Sequence, residues 1–289
     1  MIYAAFVCSV ISCAQAQKNQ PVQQSISRDI IITHYLENGA WAFPMFFSEW
    51  GEYIDSALAI LPQDAYLWQQ KSMPYFKQRK YELGMSYLDS AVKYDPRKYL
   101  DYRAFIKCIF EKNYTASLQD FFKAKEYNGN FDVMDQPYDF YIGLCHLQLN
   151  HFDTAAQYFR SCIHADSLRG ESNIHFLHDF YLGIALYEKK EYKKAITIFD
   201  RSIRNYSRFS DAKLYKALCL IRGGYFQQAA DLGREAQSDL SAGYTINEDN
   251  ARYEPYPYQI DQELCRFYNK KLAFYVKLMS DPSAKPENE

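Results

Sequence analysis

The stretch DFYLGIALYEKKEYKKAITIFDRSIRN, residues 179–205, carries two helical patterns joined by a charged turn. In its second half Ala195, Phe199 and Ser202 stand at i, i+4 and i+7, which puts a small, a bulky and a small side chain on one helical face. The same order of sizes recurs at Ala155, Phe159 and Cys162, at Ser117, Phe121 and Ala124, and at Gly84, Leu88 and Ala91. A fifth set, Ala229, Gly233 and Ala236, keeps the small residues and lacks the bulky one. In chain order the first positions of the sets lie 33, 38, 40 and 34 residues apart. An aromatic residue stands three positions before every set: Tyr81, Tyr114, Phe152, Tyr192 and Phe226. A spacing of this size is the mark of a repeat architecture.

The first half of the stretch has its own copy. Asp139-Phe-Tyr-Ile-Gly143-Leu144 returns forty residues later as Asp179-Phe-Tyr-Leu-Gly183-Ile184. A glycine inside a helix costs about 1 kcal/mol against alanine, so keeping one twice implies that paired helices approach closely there. Each pair leaves an apolar face that only a stacked neighbour covers, which is why such units occur in arrays. An all-α solenoid of helix pairs is the expected fold.

The series Trp68, Tyr75, Tyr81, Gly84, Leu88, Ala91 and Pro96 resembles the tetratricopeptide repeat, whose pattern runs Trp, Leu-Gly, Tyr, Ala, Phe, Ala, Pro over about 34 residues. Gly143 and Gly183 fall at the family's glycine, and Ala155 with Phe159, like Ala195 with Phe199, falls at its Ala and Phe positions. The resemblance spans residues 65–238, read as five repeats, and implies a right-handed α-solenoid of tetratricopeptide-like pairs. The chain departs from the family in keeping the first-helix Trp only at Trp68 and the final Pro only at Pro96. The longer steps predict longer turns at Gly129 to Pro137 and Ser167 to His178.

Residues 26–64 read as a degenerate leading pair: a helix over Asp29 to Asn38, stopped by Gly39, and a second over Ser48 to Leu61. At the other end Ile260, Leu264, Phe267, Leu272, Tyr275 and Leu278 form an amphipathic stripe over residues 259–279, predicting a helix that caps the last apolar face. Between repeats and cap, residues 239–258 read as a loop extended by the prolines of Tyr253-Glu-Pro-Tyr-Pro-Tyr258. The tail, residues 280–289, is polar and is expected to be disordered.

The leader predicts export. It is apolar from Ile2 to Ile11, too short to span a bilayer but of signal-peptide length. Two processing readings stand: cleavage after the small-x-small Ala14-Gln15-Ala16 of a signal peptide over residues 1–16, or acylation of Cys13 in the lipobox-like Val10-Ile11-Ser12-Cys13. Either leads to the periplasm, an outer-membrane attachment or release, with membrane contact only through an N-terminal lipid. No Lys or Arg precedes the apolar run, so the true start codon stays open.

Composition narrows the function. Lys and Arg number 33 against 35 Asp and Glu, a net charge of −2, so the basic surplus of a nucleic-acid binder is lacking. The run Lys189, Lys190, Lys193 and Lys194 is interleaved with Glu188 and Glu191 and reads as a solvated helix turn. Outside the leader, Cys108, Cys145, Cys162, Cys219 and Cys265 form no CxxC, are odd in number, and read as small buried helix residues. His175, His178 and Asp179 could share a helical face, but a metal needs a fuller ligand set, and a polar helix start explains them. No hydrolase signature or phosphate loop is present, and no metal, cofactor or catalytic residue is expected.

What remains is binding. The resemblance implies that first helices of successive pairs line a groove, with Tyr102, Ile106 and Ile109, then Phe140, Leu144 and Leu147, as candidates. Phe180, Ile184 and Tyr187 follow, then Leu214, Leu218 and Ile221. These are apolar and lack the Lys, Asn and Arg set with which family members clamp a peptide carboxylate. The expected function is a non-catalytic protein- or peptide-binding scaffold of the cell envelope. An exported small-molecule or glycan binder using Tyr and Trp side chains is the alternative. A register shift of one would turn the same residues into core, and the Pro-Tyr loop could itself fill the groove.

Overall fold

A computed structural model describes residues 27–280. The leader with Ala14-Gln15-Ala16 and Cys13, and the tail beyond Ser280, lie outside the described residues. Among these residues thirteen α-helices follow in sequence. The leading pair is α1 (Arg28–Ile32), which runs on as a π-helical turn over Thr33–Glu37, and α2 (Ser48–Ile60). Five pairs follow: α3 (Ala65–Lys77) with α4 (Tyr81–Tyr94), α5 (Pro96–Ile109) with α6 (Tyr114–Asn128), α7 (Tyr138–Gln148) with α8 (Phe152–Ser167), α9 (Phe176–Glu188) with α10 (Tyr192–Asn205), and α11 (Ser210–Arg222) with α12 (Phe226–Ser241). The last helix, α13 (Gln262–Ser280), packs on α12. Helices pack in sequential pairs, and the first helices α3, α5, α7, α9 and α11 also touch one another, forming the inner layer of a tetratricopeptide-like solenoid.

One turn design joins the pairs. The repeat's aromatic markers, Tyr81, Tyr114, Phe152, Tyr192 and Phe226, are the first residues of the second helices. Two positions earlier the backbone is left-handed each time, at Arg79 (φ 61°), Lys112 (56°), Asn150 (60°), Lys190 (61°) and Gly224 (81°). In four turns the following N–H reaches back five residues, as from Glu191 to Leu186 and from Tyr225 to Leu220, and satisfies a terminal carbonyl of the first helix. The α5–α6 turn is one residue longer and closes from Asn113 to Lys107 instead.

The second helices face inward as their periodicity requires. All fifteen members of the five small-bulky-small sets are buried. Gly143 and Gly183 take their places opposite Phe rings: a Cβ on Gly143 would lie 2.8 Å from Phe159 Cε1, and one on Gly183 2.5 Å from Phe199 Cε1. The buried hydroxyls are satisfied by the partner helix, Ser117 donating to the Ala104 carbonyl at 2.8 Å and Ser202 to Phe176 at 2.9 Å. Where the fifth set has Gly233, the space goes to α13: a side chain there would run into Asn269 and Leu272, and Asn269 Nδ2 donates to the Gly233 carbonyl at 3.0 Å.

Two features differ from the pattern. The long turn before α7 holds a small antiparallel hairpin, β1 (Asp132–Val133) with β2 (Gln136–Pro137), turned by Met134 and Asp135, both at positive φ. Two central residues at positive φ give the turn that matches strand twist, and here the positions lack the Asn-Gly pair that would announce it. The second difference is the course of the segment between α12 and α13, which defines the site.

Candidate functional site

After α12 the chain does not lie idle on the surface. Residues 244–261 enter the inner layer and cross it as a strap, with Ile246, Tyr256 and Ile260 buried in the core. Prolines at 255 and 257 keep the returning limb extended. That limb meets the repeats in their own order. Glu254 accepts from the Tyr81 hydroxyl and pairs with Arg79, while the Tyr253 ring lies under Lys77. The Pro255 carbonyl accepts from Lys112 Nζ at 2.7 Å, and the Tyr256 hydroxyl pairs with that of Tyr141. Tyr181 donates to the Pro257 carbonyl at 2.9 Å. Tyr258 donates to Glu188 at 2.7 Å, its ring against Tyr215, and Ile260 N–H donates to Asp211 Oδ1 at 2.8 Å. Each of the five pairs thus holds one step of an extended segment.

Two carboxyls fasten the strap, Asp211 buried and Glu248 half-buried. Asp211, fully buried, accepts from Thr245 Oγ1 at 2.8 Å where the strap enters and from Ile260 N–H where it leaves. Burial pushes its carboxyl up to about 6, against the pull of these hydrogen bonds. Glu248, on the outgoing limb, is likewise pushed up to about 6 by burial and accepts from Gln136 Nε2 at 3.0 Å. Gln136 Oε1 in turn meets His178 Nε2 at 2.9 Å, and His178 Nδ1 meets Asp166 Oδ2 at 2.6 Å. A polar chain therefore runs from the strap through β2 to the start of α9.

This chain accounts for the histidines. His175 caps α9, its Nδ1 accepting from Leu177 N–H, and burial next to His178 lowers its pKa to about 4. Asp179 pairs with Arg201 at 2.5 Å rather than joining the two rings. Among the described residues no three His, Cys, Asp or Glu side chains gather as metal ligands. Cys108, Cys145, Cys162, Cys219 and Cys265 are free and buried. Burial pushes the Cys219 and Cys265 thiols up to about 12 and about 11, which removes the thiolate a reactive cysteine needs.

The predicted groove residues all lie on first helices, but most are sealed within the layer. Ile106, Phe140, Leu144, Phe180, Ile184 and Leu214 are buried, as are Ile109 and Leu147. Tyr102, Tyr187, Leu218 and Ile221 are half-buried. Phe140 packs against Phe159, His178 and Tyr181, and Phe180 against Phe199, Phe209 and Tyr215, between helices rather than on an open face. One position beyond Phe140 and Phe180, Tyr141 and Tyr181 address the strap. Sequence reasoning missed Arg79, Lys112 and Asp211 as strap holders. The first two sit in turns, and Asp211 looks like any acidic residue in a first helical turn.

Comparison with known proteins agrees with this architecture. Residues 180–244 match the sequence profile of the tetratricopeptide repeat. A search of the curated proteins finds no match. Among solved structures, the chain is similar to the C-terminal part of a TPR repeat-containing protein from Cytophaga hutchinsonii, at 16% identity and TM-score 0.55 over 89% of this chain and 90% of that one. It is similar to PilF of Pseudomonas aeruginosa at 19% identity and TM-score 0.54, over 75% of this chain and 92% of the other. PilW, a type IV pilus biogenesis factor, aligns at 14% identity and TM-score 0.52 over 76% and 95%. At these identities the likeness speaks to the fold. Joined with the five-fold register of small and bulky residues and the shared turn design, it shows a tetratricopeptide-like solenoid, with residues 180–244 matching the tetratricopeptide repeat itself.

Proposed function

We propose that the chain is a non-catalytic scaffold of the cell envelope that binds a protein or peptide segment along the inner layer of its first helices. One observation carries this reading: that layer already holds an extended, proline-set segment, gripping backbone carbonyls and a carboxylate from successive pairs. Extended peptides are recognised in this way, main-chain groups giving affinity and ring pockets giving selectivity. The match of residues 180–244 to the tetratricopeptide repeat favours protein or peptide partners in general. Phe140, Leu144, Phe180 and Ile184 act in this reading by packing the layer that presents Tyr141 and Tyr181. The envelope address rests on the apolar leader with Ala14-Gln15-Ala16 and Val10-Ile11-Ser12-Cys13.

Cross-linking in intact cells, followed by purification from the membrane fraction, tests the reading. The expected result is a stable protein partner whose cross-links map to the first helices between α3 and α11. Stabilisation by saccharides alone, with no cross-linked protein, would replace it with the alternative of an exported glycan or small-molecule binder. Labelled fatty acid tests the anchored form of export: label that disappears in Cys13→Ala marks a lipid anchor, and its absence from the parent chain removes that form.

A further inference from the structure

The strap is held differently from the helices around it. Its grips are polar and sit at the rim: Arg79 Nη2 donates to the Tyr253 carbonyl at 3.3 Å, and Lys112 Nζ to that of Pro255. Backbone carbonyls are common to every peptide, so these two cations hold a chain without regard to its sequence. Selectivity lies in the rings and the acid. Tyr256 is 3% exposed beside Tyr141, Tyr258 lies against Tyr215, and Glu254 sits between Arg79 and the Tyr81 hydroxyl. Pro255 stays exposed at the mouth.

The same strap carries elements that oppose closure. Tyr258 has a left-handed backbone (φ 60°), a conformation that costs an L-residue on the order of 1 kcal/mol. Asp211 is fully withdrawn from water and Glu248 is half-buried to hold it. The segment has no helix or strand of its own, and α12 and α13, which flank it, pack on each other independently of it through Gly233, Asn269 and Leu272. Lifting the strap therefore leaves its neighbours paired.

We propose that residues 245–260 are a built-in stand-in ligand, displaced when a partner protein offers an extended segment of the same chemistry: an acidic residue followed by alternating prolines and tyrosines. The inference rests on the scaffold reading above and adds to it the occupant's chemistry and the competition. The partner's acid takes the place of Glu254 between Arg79 and Tyr81, its carbonyls take Lys112 and the Tyr181 hydroxyl, and its rings enter beside Tyr141 and Tyr215. The strap keeps an apolar and polar lining covered until such a segment arrives.

A fluorescent peptide copying residues 250–261 is the probe, titrated by anisotropy into the full chain. Two forms are compared, the parent and a strap-weakened Tyr256→Ala/Tyr258→Ala variant whose helicity and melting are checked by circular dichroism. The variant is expected to bind the peptide at least about tenfold more tightly than the parent, because the competing segment has been weakened. Adding Lys112→Ala should weaken that binding about tenfold, as expected for losing one charge-assisted hydrogen bond. If the double variant does not fold, Glu254→Ala is the gentler loosening and should shift binding the same way. Equal, weak binding by folded parent and variant overturns the proposal. So does a dimer in which straps are exchanged, which would make a second copy the occupant. Partner capture in cells that persists alongside absent peptide binding leaves the scaffold reading standing and removes this one.

Discussion

The fourth and fifth repeats are built to one plan and sealed in opposite ways. In α9–α10 the pair closes on itself: Phe199 fills the space left by Gly183, and Ser202 satisfies the Phe176 carbonyl. In α11–α12 the sizes are exchanged. Ala217 stands on the first helix where the previous repeat has Gly183, and Gly233 on the second where it has Phe199. The room that results is taken by Asn269 and Leu272 of α13, and the start of α11 is tied to the strap, and buried, through Asp211. An internal repeat can seal itself because a neighbour stacks on each side. A terminal repeat must leave a socket for whatever ends the array, and losing one Phe is what opens it.

Breaking the self-sealed repeat should have the largest effect. Phe199→Ala removes a fully buried ring from the α9–α10 interface and leaves a cavity beside Gly183, at an expected cost of about 3–5 kcal/mol. Chemical denaturation read by circular dichroism measures it. Gly233→Ala, at the corresponding position of the fifth repeat, acts through the cap instead, crowding Asn269 and Leu272. A loss in Phe199→Ala no larger than in Gly233→Ala would mean that the fourth repeat is not the self-sealed one.

The strap gives the fifth repeat a pH dependence opposite in sign to that of His175 at the start of the fourth, whose lowered pKa costs stability as pH falls. Burial raises the pKa of Asp211 in the folded chain to about 6 from the ordinary 3.8, so the carboxyl binds its proton more tightly there. A raised pKa contributes stability that is fully present below about 4 and is lost as pH rises through about 6. On the order of 2–3 kcal/mol is at stake over that window. Asp211→Asn keeps an oxygen for Ile260 N–H and removes the titration. Thermal melts of the two proteins should therefore diverge between pH 4 and pH 7, with the parent falling relative to the variant (window set by the two pKa values). Parallel melting curves across that range would detach Asp211 from the strap's energetics.

The difference between repeats also marks what could be read from sequence. The second helices are amphipathic, so their period identifies the buried face, and the Ala195, Phe199, Ser202 spacing finds it directly. The first helices α7 and α9 are buried nearly all round, from Tyr138 to Cys145 and from Leu177 to Leu186. A helix with no polar side has no period to fix its rotation, which is why the pattern points to Phe140 and Phe180 where the fold presents Tyr141 and Tyr181. The strap is harder still. Tyr181 meets Pro257 from 76 positions away, and nothing local in Tyr253-Glu-Pro-Tyr-Pro-Tyr258 says what it lies against. Only its extended character is local, because prolines impose it.

The smallest expected effect concerns the turns. Both repeats need a left-handed residue between their helices, and the fifth uses Gly224 (φ 81°) where the fourth uses Lys190 (φ 61°). A side chain in that conformation brings Cβ against the following carbonyl, at about 1–2 kcal/mol. Glycine avoids the clash but gives up more conformational freedom on folding, which returns part of the gain. Lys190→Gly should therefore stabilise the fourth turn by about 0.5–1 kcal/mol, and Gly224→Lys should destabilise the fifth by a similar amount. Denaturation midpoints that move in opposite directions would show that the two turns share one backbone requirement met by different residues. Lys190→Gly lowering stability would instead show that the lysine side chain supports the turn by more than its backbone costs.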